Sequence, residues 1–193
     1  MTQTLSRPLP EGVVLRDATV DDLDAINAIY NHYVATCTCT WQTQPDTLEQ
    51  RRAWMDQHGP TLPVTVACLG GRVIGWGALS TFRSRAGIQT TVENSIYIHP
   101  DFHGRGIGGA MLAELIARAE RLGYHSIVAV ISADQPASLS LHAKMGFRLA
   151  GRLEQSGTKF GRWLDAIYMQ LLLGPRVCPG EGSCGGQCPG GQP

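Results

Sequence analysis

A chain of 193 residues is long enough for one domain with a proper core and too short for two ordinary ones. Its 43% hydrophobic content against 17% charged residues excludes wholesale disorder, and a formal net charge of zero removes the general electrostatic pull toward nucleic acid or an anionic membrane. No apolar run approaches the ~20 residues that span a bilayer, and residues 1–12 lack the apolar stretch of a secretory leader, so a cytoplasmic protein with neither nucleic-acid nor membrane partner is expected.

Residues 1–12 read as a flexible lead, followed by a short strand over 13–16. Thr19, with Asp22 three positions on, has the form of a capping box, and Leu23, Ile26, Ile29, Tyr30 and Tyr33 follow at helical spacing. Thr47 and Gln50 repeat the signal before Leu48, Trp54 and Met55, and Gly59-Pro60 closes that helix. Residues 64–69 and 73–79 are strand-like and meet at Gly70-Gly71, a pair suited to a two-residue hairpin turn. A polar loop over 81–91 carries Arg83 and Arg85, and a strand over 92–98 stops at His99-Pro100. Met111, Leu112, Leu115, Ile116 and Ala119 give a helix over 110–122 one apolar side, and Gly123 ends it.

Residues 127–131 are uninterruptedly apolar, as in a buried central strand; a short helix over 138–145 and strands over 147–153 and 164–173 complete the pattern. The expectation is a single α/β or α+β domain over 13–173 with a mixed sheet. Residues 174–193 are dominated by glycine and proline and read as a disordered tail. Without an export signal, Cys37, Cys39 and Cys68 in the domain and Cys178, Cys184 and Cys188 in the tail read as reduced thiols. The tail's three thiols fall short of the four ligands of a structural zinc site, so no metal is expected.

Between the strand ending at Ile98 and the following helix stands His103-Gly104-Arg105-Gly106-Ile107-Gly108-Gly109. Closely spaced glycines before a helix leave backbone N–H groups at its N-terminus open to an anion, and Arg105 adds a fixed charge. Gly104, Gly106 and Gly109 satisfy G-x-G-x-x-G, but a dinucleotide fold would put it after its first strand with an acidic residue ~20 positions on, and none stands around His125 and Ser126. Gly108-Gly109-Ala110 fails the Gly-Lys-Ser/Thr ending of a Walker loop. A plain strand-to-helix turn accounts for one or two glycines, not four with an arginine.

The segment resembles the pyrophosphate loop of the GNAT acetyltransferases, Gln/Arg-x-x-Gly-x-Gly/Ala, with His103 standing where that family prefers glutamine or arginine. Thr91-Val92-Glu93-Asn94-Ser95-Ile96-Tyr97-Ile98, Leu141-His142-Ala143-Lys144-Met145-Gly146-Phe147 and Lys159-Phe160-Gly161-Arg162-Trp163-Leu164-Asp165 resemble the phosphinothricin and methionine sulfoximine acetyltransferase branch. The resemblance covers residues 13–173. It implies the GNAT fold, with a mixed, mostly antiparallel central sheet flanked by helices, acetyl-CoA as co-substrate, and a homodimer.

By that resemblance Glu93 is the general base, acting on a substrate amine that is mostly protonated near neutral pH. A surface strand carboxylate is the plain alternative. His142 stands where many acetyltransferases place a tyrosine and could serve as acid or base, or simply pack or cap. Main chain at Ile96, Tyr97 and Ile98, the loop His103, Gly104, Arg105, Gly106, Ile107, Gly108 and Gly109, and Gln135 and Ser138 at the next helix start would hold the cofactor; the family usually has asparagine where Gln135 stands. Arg83 and Arg85 would reach the acidic end of the acceptor, or belong to a solvated loop, and Lys159 and Trp163 would line its pocket or merely end strands. Ile88 occupies a position that tends to be aromatic in phosphinothricin-specific enzymes and leaves the acceptor open: an amino-acid analogue, another amine such as a polyamine, aminoglycoside or protein N-terminus, or none in a non-catalytic acyl-CoA-binding module.

Overall fold

The computed structural model describes residues 9–174, so most of the 1–12 lead and the tail with Cys178, Cys184 and Cys188 lie outside the described residues. A seven-stranded sheet runs in the order β1-β2-β3-β4-β5-β7-β6, with β1 at Val13–Asp17, β2 at Val64–Leu69, β3 at Arg72–Thr81, β4 at Thr91–Ile98, β5 at Ser126–Ser132, β6 at Arg148–Lys159 and β7 at Arg162–Leu172. All neighbours are antiparallel except β4 and β5. Helices α1 (Leu23–Thr36), α2 (Leu48–Met55), α3 (Ile107–Arg121) and α4 (Pro136–Lys144) flank it.

Local chemistry sets the ends of these elements. Thr47 Oγ1 accepts from Gln50 N–H at 3.2 Å and Gln50 Oε1 accepts from Thr47 N–H at 2.8 Å, the reciprocal box at the start of α2. Before α1, the carboxylate of Asp22 accepts the Thr19 N–H at 2.8 Å and two guanidinium bonds from Arg16 at 2.7 Å, and the chain makes a 3-10 turn at Val20–Asp22 before the helix proper. Gly70 and Gly71 take φ of +56° and +81°, which the two-residue β2–β3 turn requires.

Both faces of the sheet are covered. Ile26, Ile29 and Tyr33 of α1 pack on Val64, Val66, Trp76 and Ala78, while Leu112, Leu115 and Ala119 of α3 pack on Leu79, Val92, Ile127 and Ala129. Leu112 and Leu115 are wholly buried, so cutting either to alanine would cost about 2–5 kcal/mol. Helix α3 lies so close to β3 that a Cβ on Gly77 would meet Met111 Sδ at 3.0 Å.

Helix α3 and the last hairpin depart furthest from the sequence expectation. Helix α3 begins at Ile107, not residue 110, because Gly106 at φ +82° ends the loop and lets Gly108 and Gly109 enter the first turn. Strands β6 and β7 form a longer hairpin than 147–153 and 164–173 suggested, turning at Phe160-Gly161 with φ of +52° and +72°. The extra length is a solvent-facing ladder interrupted by register shifts at Leu149/Gly151 and Leu153/Gly157, and exposed polar residues carry no alternation to read.

Candidate active site

Strands β4 and β5 pair only where Thr91, Val92 and Glu93 meet Ser126, Ile127 and Val128. Beyond Glu93 they part, and a cavity of about 790 Å³ opens between them, walled by α1, the turn after it, the glycine loop and α4. The His99 N–H bonds the Ile74 carbonyl of β3, and main-chain direction alternates along a strand. The N–H and C=O groups of Asn94, Ile96 and Ile98 therefore face the open wedge, whereas those of Tyr97 face β3. Tyr97 reaches the cavity with its ring, which packs on Trp76 at 4.9 Å and edge-on to Tyr30 at 5.2 Å; the alternation separates it from the main-chain role expected with Ile96 and Ile98.

The glycine loop closes one end. Gly104 (φ +73°) and Gly106 (φ +82°) turn the chain into α3, whose first N–H groups have no partner within the helix. A Cβ on Gly108 or Gly109 would meet nothing nearer than Leu141 at 3.6 and 3.7 Å, so packing alone does not call for glycine at either position. Arg105 donates to the Asp101 carbonyl at 3.0 Å and lies over the Phe102 ring at 5.0 Å. His103 Nε2 lies 3.0 Å from the Ile98 carbonyl and 2.6 Å from the Tyr33 hydroxyl, which itself donates to Ile98 O. The imidazole thus braces the loop against β4 and α1.

Glu93 stands on β4 at the closed end of the wedge, half-buried in the cavity wall, and among the described residues nothing hydrogen-bonds its carboxylate. Burial pushes its carboxyl above the usual range, with the charge of Arg83 opposing. His142, only 5% exposed, has both ring nitrogens engaged: Nδ1 is 2.9 Å from the Ser138 carbonyl and Nε2 is 3.0 Å from Asn94 Nδ2. A carbonyl only accepts, so Nδ1 carries the proton and Nε2 accepts from the Asn94 amide. Burial pushes the imidazole below its usual value, and the ring is neutral. Asn94 Oδ1 is buried without a partner among the described groups.

Gln135 Nε2 donates to Thr38 Oγ1 at 2.8 Å, and Ser138 flanks His142 with Oγ 3.5 Å from Nδ1; both residues line the cavity. Arg83 and Arg85 are exposed in the β3–β4 loop outside the cavity wall, and Arg83 donates to the Phe82 carbonyl at 3.1 Å and stacks over its ring at 4.7 Å. Lys159 differs from its expected place in an acceptor pocket. Only 4% exposed, its ammonium donates to the carbonyls of Cys37 at 2.7 Å, Thr40 at 2.9 Å and Tyr33 at 3.5 Å, so its three protons hold the turn after α1. Trp163 is exposed and lies away from the cavity. No group of three or more His, Cys, Asp or Glu side chains among the described residues could hold a metal.

An acetyltransferase family model, described as Acetyltransferase (GNAT) family, matches residues 26–147, from α1 through the glycine loop to the end of α4. This chain belongs to the GNAT acetyltransferase family. It is an N-acetyltransferase that depends on acetyl-CoA. The acetyltransferase is 42% identical over 163 residues to an L-methionine sulfoximine/L-methionine sulfone acetyltransferase of Pseudomonas paraeruginosa, covering 83% of this chain and 95% of that protein. It is 40% identical over 162 residues to a phosphinothricin N-acetyltransferase of Alcaligenes faecalis, covering 83% and 81%. Among solved structures, a GNAT-superfamily phosphinothricin acetyltransferase of Sinorhizobium meliloti in complex with acetyl-CoA superposes with a TM-score of 0.83 at 38% identity, covering 89% of this chain and 95% of that one.

Sequence reading missed Tyr33, Asn94 and the Cys37–Gln42 wall of the acetyltransferase. Asn94 carried the one available signal, a polar residue beside Glu93 in an apolar strand. Tyr33 is indistinguishable by spacing from the other core positions of α1.

Proposed function

We propose that this acetyltransferase moves acetyl from acetyl-CoA to the amino group of a small amino-acid analogue of the phosphinothricin, methionine sulfoximine or methionine sulfone type, with Glu93 as general base. The observation that carries the reading is the Glu93 carboxylate, half-buried where β4 and β5 part, unpartnered among the described residues, and raised by burial toward the pH at which it can both take and release a proton. The named activities of relatives at 42% and 40% identity over most of the chain support the acceptor class.

The wedge fits acetyl-CoA in three respects: open main-chain groups at Asn94 and Ile96 with the Ile98 N–H, a helix N-terminus with two left-handed glycines for the pyrophosphate, and glycine at 108 where packing does not demand it. When bound, acetyl-CoA supplies a thioester carbonyl open to attack by a neutral amine. Glu93 takes the amine's proton, directly or through one water. The N–H of Ile96 or Ile98 stabilises charge developing on the carbonyl oxygen. The N–H groups from Gly104 to Gly109, with Arg105 beside them, hold phosphate oxygens, and Gln135 and Ser138 flank the arm. Arg83 and Arg85, on the loop leading into Glu93, hold the acceptor's acidic end; Arg83 already acts on Glu93 through its charge. Lys159 acts from behind, keeping the wall over 37–40 in place.

His142, neutral and with Nε2 accepting from Asn94, orients rather than donates. A thiol with a pKa of ~8.5 departs readily as thiolate and needs little acid assistance. A cytoplasmic homodimer fits the same reading, since β6 is an outer strand with Leu149 and Leu153 exposed; light scattering that returns the monomer mass would remove the dimer.

The test is thiol release from acetyl-CoA with phosphinothricin, methionine sulfoximine and methionine sulfone as acceptors. Turnover on at least one is expected, and Glu93→Gln should lower kcat/KM by roughly 10²–10⁴ while leaving acetyl-CoA affinity unchanged. Silence on all three would overturn the acceptor class, and wild-type rates for Glu93→Gln at every pH would overturn the base.

A further inference from the structure

The turn after α1 carries two free thiols, Cys37 and Cys39, on the wall of the cavity that holds Glu93 and His142, and acetyl transfer as described above uses neither. Both are half-buried, whereas Cys68 is buried in β2. The turn is held from several sides: Lys159 binds the Cys37 and Thr40 carbonyls, Thr38 Oγ1 donates to Asp134 Oδ1 at 2.8 Å, and Gln135 Nε2 donates to Thr38 Oγ1. Inside it the Cys39 N–H donates to Cys37 Sγ at 3.2 Å. Cys37 Sγ also lies 3.7 Å from Gln135 Oε1.

We propose that Cys37 is a covalent modification site: its thiolate attacks one sulfur of a low-molecular-weight disulfide entering the cavity, and Cys39 resolves the adduct into a Cys37–Cys39 disulfide. In the first step a bond forms between the Cys37 sulfur and the incoming sulfur, and one small thiolate leaves. In the second the Cys39 sulfur attacks the Cys37 sulfur, the mixed disulfide breaks, and the Cys39 proton passes to the departing thiolate. The cysteine pair loses two electrons, and the small disulfide is reduced to two thiols.

The order of the two thiols follows from their surroundings. The neighbouring Cys39 side chain and N–H and the Lys159 charge hold Cys37 below the usual thiol range, against burial and Asp134. Cys39, beside the Cys37 sulfur and more deeply set, is raised. A lowered pKa raises the thiolate fraction of Cys37 below neutral pH by more than the accompanying loss of basicity takes from its nucleophilicity, so Cys37 reacts faster there than a free thiol. The disulfide ties the two side chains together in the cavity wall and removes the Cys37 thiol from Gln135, so acetyl transfer falls.

The experiment treats the full chain with glutathione disulfide at pH 6, blocks remaining thiols, and maps the tryptic segment 17–51, which holds Cys37 and Cys39 and no other cysteine. That segment is expected to become lighter by two hydrogens, severalfold faster than the same segment as a free peptide. Acetyl transfer should fall in step and return with dithiothreitol. Cys39→Ser should stop at a glutathione adduct on Cys37, and Cys37→Ser should leave the segment unmodified and keep its own starting rate through the treatment. An unchanged wild-type segment, a Cys39 adduct in Cys37→Ser formed as fast as the wild-type disulfide, or equal loss of activity in Cys37→Ser would overturn the proposal.

Discussion

Glu93 and Asn94 are neighbours on β4 and meet opposite circumstances on the two faces of the sheet. Glu93 faces the α1 and α2 side, opposite Ser80, where its carboxylate has no hydrogen-bond partner among the described residues. Asn94 faces the α4 side, is 7% exposed, and donates through Nδ2 to His142, which has both ring nitrogens engaged, while its own Oδ1 has no partner among the described groups. A buried polar group without a partner is destabilising, so a fold keeps one where something else will complete it. In the proposed function the Glu93 carboxylate is the reactive group, and His142, with both ring nitrogens engaged, is scaffold.

That contrast breaks if His142→Gln costs as much as Glu93→Gln. The expected losses in kcat/KM are roughly 10²–10⁴ for Glu93→Gln and about tenfold or less for His142→Gln, compared by thiol release under matched conditions. Next in size is Lys159→Met, which leaves the carbonyls of Cys37 and Thr40 without their donor. A loss of about 3 kcal/mol in urea unfolding is expected, and an unchanged midpoint would separate the Glu93 side from its strap.

On the opposite side, Gly106→Ala forces an L-residue to φ +82° and should cost about 1–2 kcal/mol of stability, with weaker acetyl-CoA binding by calorimetry as the sharper readout. The smallest effect is in pH. The proposed base acts as carboxylate and the Glu93 pKa is raised, so kcat/KM should fall as pH drops through a limb lying above the ordinary glutamate value of ~4.3. Arg83 opposes that rise, so Arg83→Met should move the limb further up; a limb that stays put would remove Arg83 from the Glu93 environment.

Periodicity and caps made most elements legible, because Ile26, Ile29 and Tyr33 or Leu112 and Leu115 must face a sheet wherever it lies. The glycine loop was legible for a related reason: positive φ at Gly104 and Gly106 has few other residues to serve it. The site was less so. That Asn94, Ile96 and Ile98 open to the wedge while Tyr97 does not depends on which edge of β4 pairs with β3, and no local pattern encodes a pairing partner. Lys159 read as a residue of the acceptor pocket or a strand end because its acceptors lie 119 to 126 positions earlier in the chain.

That separation bears on when the enzyme becomes an enzyme. The turn at Cys37–Thr40 leaves the ribosome early, and its ammonium partner arrives only with the last hairpin. Until β6 and β7 have emerged and docked, the wall beside Glu93 lacks its fastening, however complete the glycine loop and α3 already are. A nascent chain stalled short of Lys159 would carry the glycine loop and α3 but not the ammonium that fastens the Cys37–Thr40 turn, so the wall beside Glu93 is the last part of the cavity to be secured.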